Sequence, residues 1–359
     1  MLSGTPLGKL SLPALFLVGL LVPLGIFLIL QLFNDPTLFF QTFVTGLGLG
    51  AIYAIIGLGF VLIFKATQTI NFAQGSVAVT GALFLSFMAA DEHIPFTTIQ
   101  NPLSDIFRGA DGGITAIGWF LSACVAVALA AVLGLVIERL AIRPMVGQPL
   151  FSVAIITLGL DISLRTFNND TSETEFRSLE IPWLEESFVL GGATIRWSII
   201  AALITAAVCF IAVYFFYRSK MGVAMRAVAF DQEAAMAQGI NVGRVFAIAW
   251  GAGAALAAIG GIFGTQPPVA QTGAVDPATA NVAFRALPAV ILGGLDSATG
   301  ALLGGLIVGG AEIFAGVYAR GELDTLGAGY PLVVPYVVMI IGLLVRPFGL
   351  FGTPEIRRV

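Results

Sequence analysis

Charge is scarce in this chain: only 11% of its 359 residues are Asp, Glu, Lys or Arg, against roughly 25% in an ordinary soluble domain. So few charges cannot coat a water-facing surface of this size, and the remainder is 58% hydrophobic with a mean hydropathy of +0.97. Soluble, fibrous and disordered classes are excluded together. Lysine is scarcer still. None of Lys9, Lys65 and Lys220 closes a G-x-x-x-x-G-K-[ST] loop, so the chain has no phosphate-cradling P-loop of its own. A single histidine, His93, excludes multi-histidine metal sites and leaves a Ser-His-Asp triad nothing but a loop residue. Its ordinary reading is a solvated histidine. The two cysteines, Cys124 and Cys209, lie inside apolar runs and read as packed thiols rather than a disulfide. With a net charge of −4 and no basic stripe, nothing suggests nucleic acid.

Long apolar runs are what the chain does have. A helix rising ~1.5 Å per residue needs about 20 apolar residues to cross a ~30 Å hydrocarbon core. By that measure ten spans are predicted, near 12–33, 38–64, 69–90, 114–137, 149–167, 196–217, 244–265, 283–295, 299–319 and 331–346. The first is followed by no small-residue cleavage pattern and is read as a retained span, not a signal peptide. The eighth is short, interrupted by Pro288 and closed by Gly293-Gly294, so it is a broken or re-entrant helix. The expected fold is thus an all-α polytopic membrane protein, residues 1–359 forming one transmembrane domain.

Loop charges orient these spans. With the N-terminus inside, the inner segments hold Lys9, Lys65, Arg139, Arg143, Arg218, Lys220, Arg226, Arg244, Arg346, Arg357 and Arg358. The outer ones hold only Arg108, Arg165, Arg177, Arg196 and Arg320, as the positive-inside rule requires. Both termini are then cytoplasmic, and the acidic loops 91–113 and 168–195 face outward. Glycines at small-xxx-small spacing, Gly46/Gly50, Gly260/Gly264, Gly300/Gly304 and Gly305/Gly309, predict close helix crossings within the bundle, with a subunit interface as the competing use. A weak echo, Gly75-x4-Thr80-Gly81-Ala82 against Gly294-x4-Thr299-Gly300-Ala301, suggests an internal repeat.

Three places concentrate polar chemistry. Residues 67–76 carry Asn71, Gln74 and Ser76 between two apolar spans; this is either a plain inner turn or irregular backbone lining a pathway. The inner segment 218–243 has a helical core, Met221 to Gln238, bearing Arg226, Asp231 and Glu233 and ending at Gly239, a natural C′ residue. Met225, Val228, Ala229 and Met236 give it one apolar face. It is a membrane-surface connector or a docking element for a cytoplasmic partner. Intramembrane charges come last, being costly in lipid. Asp161 and Arg165, spaced i, i+4, form a self-contained pair. Glu312 takes Arg285 as its partner, and a proton or ion site is the competing reading.

The motifs resemble one family. Gly46-Leu-Gly-Leu-Gly-Ala through Ile70-Asn-Phe-Ala-Gln-Gly-Ser, Glu138-Arg-Leu-Ala-Ile-Arg-Pro, Met221-Gly-Val-Ala-Met-Arg-Ala-Val-Ala-Phe-Asp-Gln-Glu-Ala-Ala, Ala289-Val-Ile-Leu-Gly-Gly-Leu-Asp-Ser and Arg346-Pro-Phe-Gly-Leu-Phe are similar to the branched-chain amino-acid ABC permeases, LivH-type. The resemblance implies the ABC importer permease fold and an importer subunit with no catalytic residue or cofactor of its own. ATP and Mg belong to two cytoplasmic LivF/LivG-like ATPases, alongside a second, LivM-like permease and an extracytoplasmic binding protein. It makes Asn71, Gln74 and Ser76 wall or gate residues, and Arg226, Asp231, Glu233 and Gly239 the ATPase-coupling element. Glu233-Ala-Ala with Gly239 resembles the Glu-Ala-Ala…Gly loop of ABC importers, although the Leu-Pro of the fuller loop is not at its spacing here. Where the family often has His within the Asn-Phe-Ala segment, this chain has Gln74, which does not titrate. Other small solutes such as urea or short amides on the same machinery, and an ion-coupled secondary transporter, are the rival readings.

Overall fold

In the computed structural model, residues 12–89, 114–145, 148–172, 176–320, 327 and 329–353 are described. The loop 91–113, His93, Lys9, Glu173, Glu175, Arg357 and Arg358 lie outside them. Helices α1 (Leu12–Asn34), α2 (Pro36–Thr67), α3 (Gln74–Ala89), α4 (Ala116–Ile137), α5 (Leu150–Ser172) and α6 (Trp197–Arg218) come first. Two short helices follow, α7 (Lys220–Phe230) and α8 (Gln232–Ala237). Then come α9 (Val242–Gly264), α10 (Asn281–Gly293), α11 (Ala298–Tyr318) and α12 (Val334–Val345). Setting α7 and α8 aside, each helix overlaps one predicted span. Among the described residues six helices are long and apolar enough to cross a membrane, and four shorter apolar stretches lie within or across α1, α3, α10 and α12.

Helix α2 is the axis of the bundle. Its apolar window is 89% buried, against 28% for α4 and α6 and 22% for α5. A helix apolar all round with that much cover is surrounded by protein, whereas the other three leave a wide face uncovered by this chain. Packed on α2 are α11, α9, α6 and α10. Its crossing with α11 is where the predicted small-residue spacing acts: a Cβ on Gly50 would stand 2.6 Å from the Leu306 Cα, and one on Gly305 2.7 Å from the Gly50 carbonyl oxygen. Gly46 faces Gly310 in the same seam, and a Cβ on Gly309 would meet Gly50 backbone. These crossings lie within one chain. Gly309→Leu is therefore expected to destabilise the protein by about 3 kcal/mol or more, through forced separation of two backbones. Gly25→Leu, where a Cβ meets nothing within 4 Å, should be neutral; thermal unfolding in detergent compares the two.

The Gly75/Gly294 echo serves different contacts. Gly81 lies well inside α3 against Ala258, whereas Gly300 is in the first turn of α11 against Gly293.

Four structural details depart from the sequence expectations. The long loop after α5 is not simply solvated. In it β1 (Arg177–Ser178) pairs antiparallel with β4 (Ala274–Val275) beyond α9, and β2 (Ser187–Leu190) pairs with β3 (Ala193–Arg196). Gly191 and Gly192, both at positive φ (61° and 88°), make the two-residue turn of that hairpin. Trp119 closes a small second core beneath this cap, donating to the Leu179 carbonyl at 2.9 Å and meeting Trp183 edge-on at 4.6 Å. Second, the span beginning at 69 starts only at Gln74, because Gln68 ends α2 in the left-handed region (φ 56°). Third, the single helix expected over 221–238 breaks at Asp231. Its backbone is extended there (φ −157°), and its carboxylate accepts from the Ala234 amide at 2.9 Å, the N-cap role Asp favours. Met225 and Val228 are buried as expected, but the break turns Met236 outward. Fourth, Cys209 is a buried free thiol whereas Cys124 is exposed on α4.

Candidate functional site

The polar segment after α2 is non-helical only over 68–73, so that Asn71 lies on irregular backbone while Gln74 and Ser76 already stand in the first turn of α3, and it is sealed. Asn71, Gln74 and Ser76 are 2%, 0% and 1% exposed. Asn71 accepts from the Ala73 amide at 3.1 Å, which starts α3, and donates to Gln74 Oε1 at 2.9 Å. Gln74 Nε2 donates in turn to the Gly253 carbonyl of α9 at 3.3 Å. Polar groups at this depth need such partners.

Along α5, residues Thr157, Asp161 and Asn168 share one face, and that face meets the segment. Phe72 donates its amide to Thr157 Oγ1 at 3.2 Å. Ser76 donates to Asp161 Oδ1 at 2.6 Å, Thr80 donates to Asn168 Oδ1 at 3.0 Å, and Asn168 returns a bond to the Ser76 carbonyl at 3.0 Å. Asp161 does pair with Arg165, at 3.3 Å. The pair is not self-contained, since Ser76 completes it from another helix. The sequence reading missed Thr157 and Asn168, whose signal was the polar face of α5 at helical spacing, and gave no site role to Thr80, one turn beyond Ser76 on α3.

The second cluster lies toward the opposite end. Arg285 of α10 reaches Glu312 Oε1 at 3.1 Å, the expected partnership, and Tyr53 of α2 donates to Oε2 at 2.5 Å. Glu312 also faces a cavity of about 340 Å³ whose wall includes Gln41, Thr45, Arg196, Ile199, Pro267, Gln271, Ile313 and Val317. These residues belong to the end of the bundle that carries the β2–β3 hairpin and the segment after α9. That segment is held there by Ser198, which donates to the Pro267 carbonyl at 3.1 Å.

The third region is α7–α8. Arg226 donates to the Tyr217 carbonyl at 2.7 Å, and Lys65 at the foot of α2 sits 4.4 Å over the Tyr217 ring, so α7 is attached to the central helix. Gly239 takes positive φ (81°) and ends α8, as expected. Glu233, exposed in the first turn of α8, makes no hydrogen bond or ion pair among the described residues. Beside it Phe230 is 91% exposed, a feature not singled out from the sequence. Nearby, the Glu138 motif closes on itself: Arg143 grips the buried Glu138 carboxylate with two bonds, of 2.9 and 3.0 Å, and donates to the Gly243 carbonyl at the start of α9. Among the described residues no group of three or more His, Cys, Asp or Glu side chains is placed to hold a metal.

Known proteins are similar to this chain in sequence. The profile of the family described as "Branched-chain amino acid transport system / permease component" matches residues 42–343. The Escherichia coli K12 protein named high-affinity branched-chain amino acid transport system permease protein LivH is 32% identical over 332 residues, covering 89% of this chain and 98% of that one. The corresponding Pseudomonas aeruginosa permease protein BraD is 30% identical over 333 residues, with the same coverage. A probable LivH from Methanocaldococcus jannaschii is 26% identical over 83% of this chain and 88% of its own. Among solved structures, a chain of PsaBC from Streptococcus pneumoniae in complex with Fab aligns over 90% of this chain and 97% of its own, at a TM-score of 0.42 and 14% identity. The chain is a multi-pass membrane protein, and it belongs to the permease family of branched-chain amino acid transport systems.

Proposed function

We propose that the chain is a permease subunit of an ATP-driven importer of branched-chain amino acids in a bacterial inner membrane, with both termini cytoplasmic. It works beside a second, related permease, two cytoplasmic ATPases and an extracytoplasmic binding protein. The observation that carries this reading is end-to-end relatedness, 332 residues aligned with 98% of a permease named for that transport. The eleven-to-five distribution of basic residues supports the orientation.

The permease contributes passage, not catalysis, and ATP hydrolysis belongs to its partners. The pair α7–α8 is the coupling element. Its charged, exposed end meets an ATPase, and its other side bears on Lys65 and Tyr217, so displacement of α7 displaces the inner end of α2. Asn71, Gln74 and Ser76 form the closed wall. Opening exchanges the Gln74–Gly253 and Ser76–Asp161 bonds for bonds to water or cargo, each worth roughly 0.5–3 kcal/mol net. That is a cost a ligand-driven population shift can meet. Weak bonding also suits a wall that must release what passes it.

Co-assembled with these partners in proteoliposomes, the chain is expected to take up leucine only with ATP and the binding protein both present. Uptake driven by an ion gradient without ATP would overturn the proposal and favour an ion-coupled carrier; ATP-dependent uptake of urea or a short amide in place of leucine would replace the cargo.

A further inference from the structure

The cavity at the hairpin end of the bundle has an uneven chemistry. Arg196, at the N-terminus of α6, lines it and makes no side-chain hydrogen bond or ion pair among the described residues. Glu312, on α11 and 5% exposed, faces the same space. Its carboxylate has about four acceptor positions, and among the described residues only Tyr53 and Arg285 use them. Further wall comes from apolar Ile199, Ile313 and Val317. Arg285 already pairs with Glu312, so the cavity offers one cation unpaired among the described residues and a carboxylate with acceptor positions to spare, on separate helices with hydrocarbon among them, an arrangement complementary to a zwitterion carrying an apolar branch. At about 340 Å³ the space lies at the lower end of small-molecule sites, ~300–1,000 Å³, the scale of a single amino acid rather than a peptide.

We propose that this cavity is a low-affinity entry site for a free zwitterionic amino acid, its carboxylate on Arg196, its ammonium on Glu312 and its side chain against Ile199, Ile313 and Val317. The proposal rests on the importer reading, which makes this end of the bundle the outer one. It adds a recognition step in the permease itself. Cargo handed over by a binding protein is held by both charges until the bundle closes above it, and a molecule with only one of them is held less well. Holding is necessarily weak, since tight binding would stall passage.

The test reads occupancy directly, in the full chain assembled with its partner subunits and without ATP. In a Cys124→Ser background, Thr45→Cys places a thiol on the cavity wall and its alkylation by N-ethylmaleimide is timed by mass spectrometry. With a dissociation constant of about 1 mM, ~10 mM leucine slows labelling roughly tenfold by occupancy. Isoamylamine, which lacks the carboxylate, and isocaproate, which lacks the ammonium, should slow it less than about twofold at the same concentration, each losing one ion pair. Arg196→Gln should remove the leucine effect, the rate with leucine being compared with that variant's own unprotected rate. Val317→Cys repeats the measurement should Thr45→Cys fail to assemble. Labelling indifferent to leucine overturns the site, and protection by the amine equal to that by leucine overturns the zwitterion in favour of a plain ammonium pocket. Because occupancy is read without turnover, a complex that fails to transport counts against the importer reading alone. A transporting complex with no protection counts against the site alone.

Discussion

Glu233→Arg should abolish leucine uptake, and with it the stimulation of ATP hydrolysis by transport, while leaving the chain folded. Glu233 is exposed and supports no internal bond. The substitution therefore costs the fold no more than the ~0.3–1 kcal/mol of a favourable charge lost from the first turn of a helix. On the proposed coupling role, its effect falls on the contact with the partner ATPase. Asp231 sets the start of α8, with Phe230 exposed just before it and Glu233 exposed just after it, and an exposed aromatic side chain near a charge in sequence is the kind of anchor that dominates an interface. In that proposed role, with a basic surface of the ATPase opposite Glu233, reversing that charge places like against like, a penalty of several kcal/mol, which corresponds to more than a hundredfold loss of productive docking. The measurement pairs uptake in proteoliposomes with thermal unfolding of the isolated subunit. Unaltered uptake would remove α8 from the coupling role, and a collapsed melting temperature would show that Glu233 has a structural task.

The second large effect is expected at the opposite end. Arg285→Ala leaves the buried Glu312 carboxylate with Tyr53 alone, and stripping one partner from a buried ion pair typically costs about 3–5 kcal/mol. Adding Glu312→Gln in the same chain should restore much of that loss, because a neutral side-chain carbonyl can still accept from Tyr53 and no unpaired charge stays buried. Thermal unfolding of the two single variants and the double variant closes the cycle. An Arg285→Ala protein as stable as the unaltered one would mean that the pair contributes little. Failure of the double variant to recover would locate the cost in lost packing of the arginine stem instead.

Much of the fold was legible in the chain. Apolar length identifies each crossing segment because an unsatisfied backbone in lipid costs several kcal/mol per group, so a run of that length has little choice but to be helical. Cap chemistry was legible where it was strong, as at Gly239. It was overlooked at Asp231, where a helical stretch of hydrophobic spacing continues straight through a residue that caps better than it propagates. At the candidate sites the Arg285–Glu312 pairing followed from the cost of lone charge. Tyr53, 259 positions away from Glu312, had no sequence signal, and Ser76 and Asp161 looked like members of two separate features until one hydrogen bond joined them.

Composition and spacing by themselves determined that the chain crosses a membrane, roughly where, and that two glycine-spaced helices cross closely. Only the tertiary structure decided which helix is central. The apolar windows of α4 and α6 have mean hydropathies of 2.8 and 2.7, above the 2.4 of α2, yet it is α2 that is 89% buried. Hydropathy cannot rank them, because lipid tails are as apolar as the leucines of a neighbouring helix, and transfer from one to the other releases almost no hydrophobic free energy. What separates the two surroundings is shape. Backbones approach where Gly46, Gly50, Gly305 and Gly309 leave room, and polar groups such as Ser76, Asp161, Arg285 and Glu312 must find one another once that approach is made.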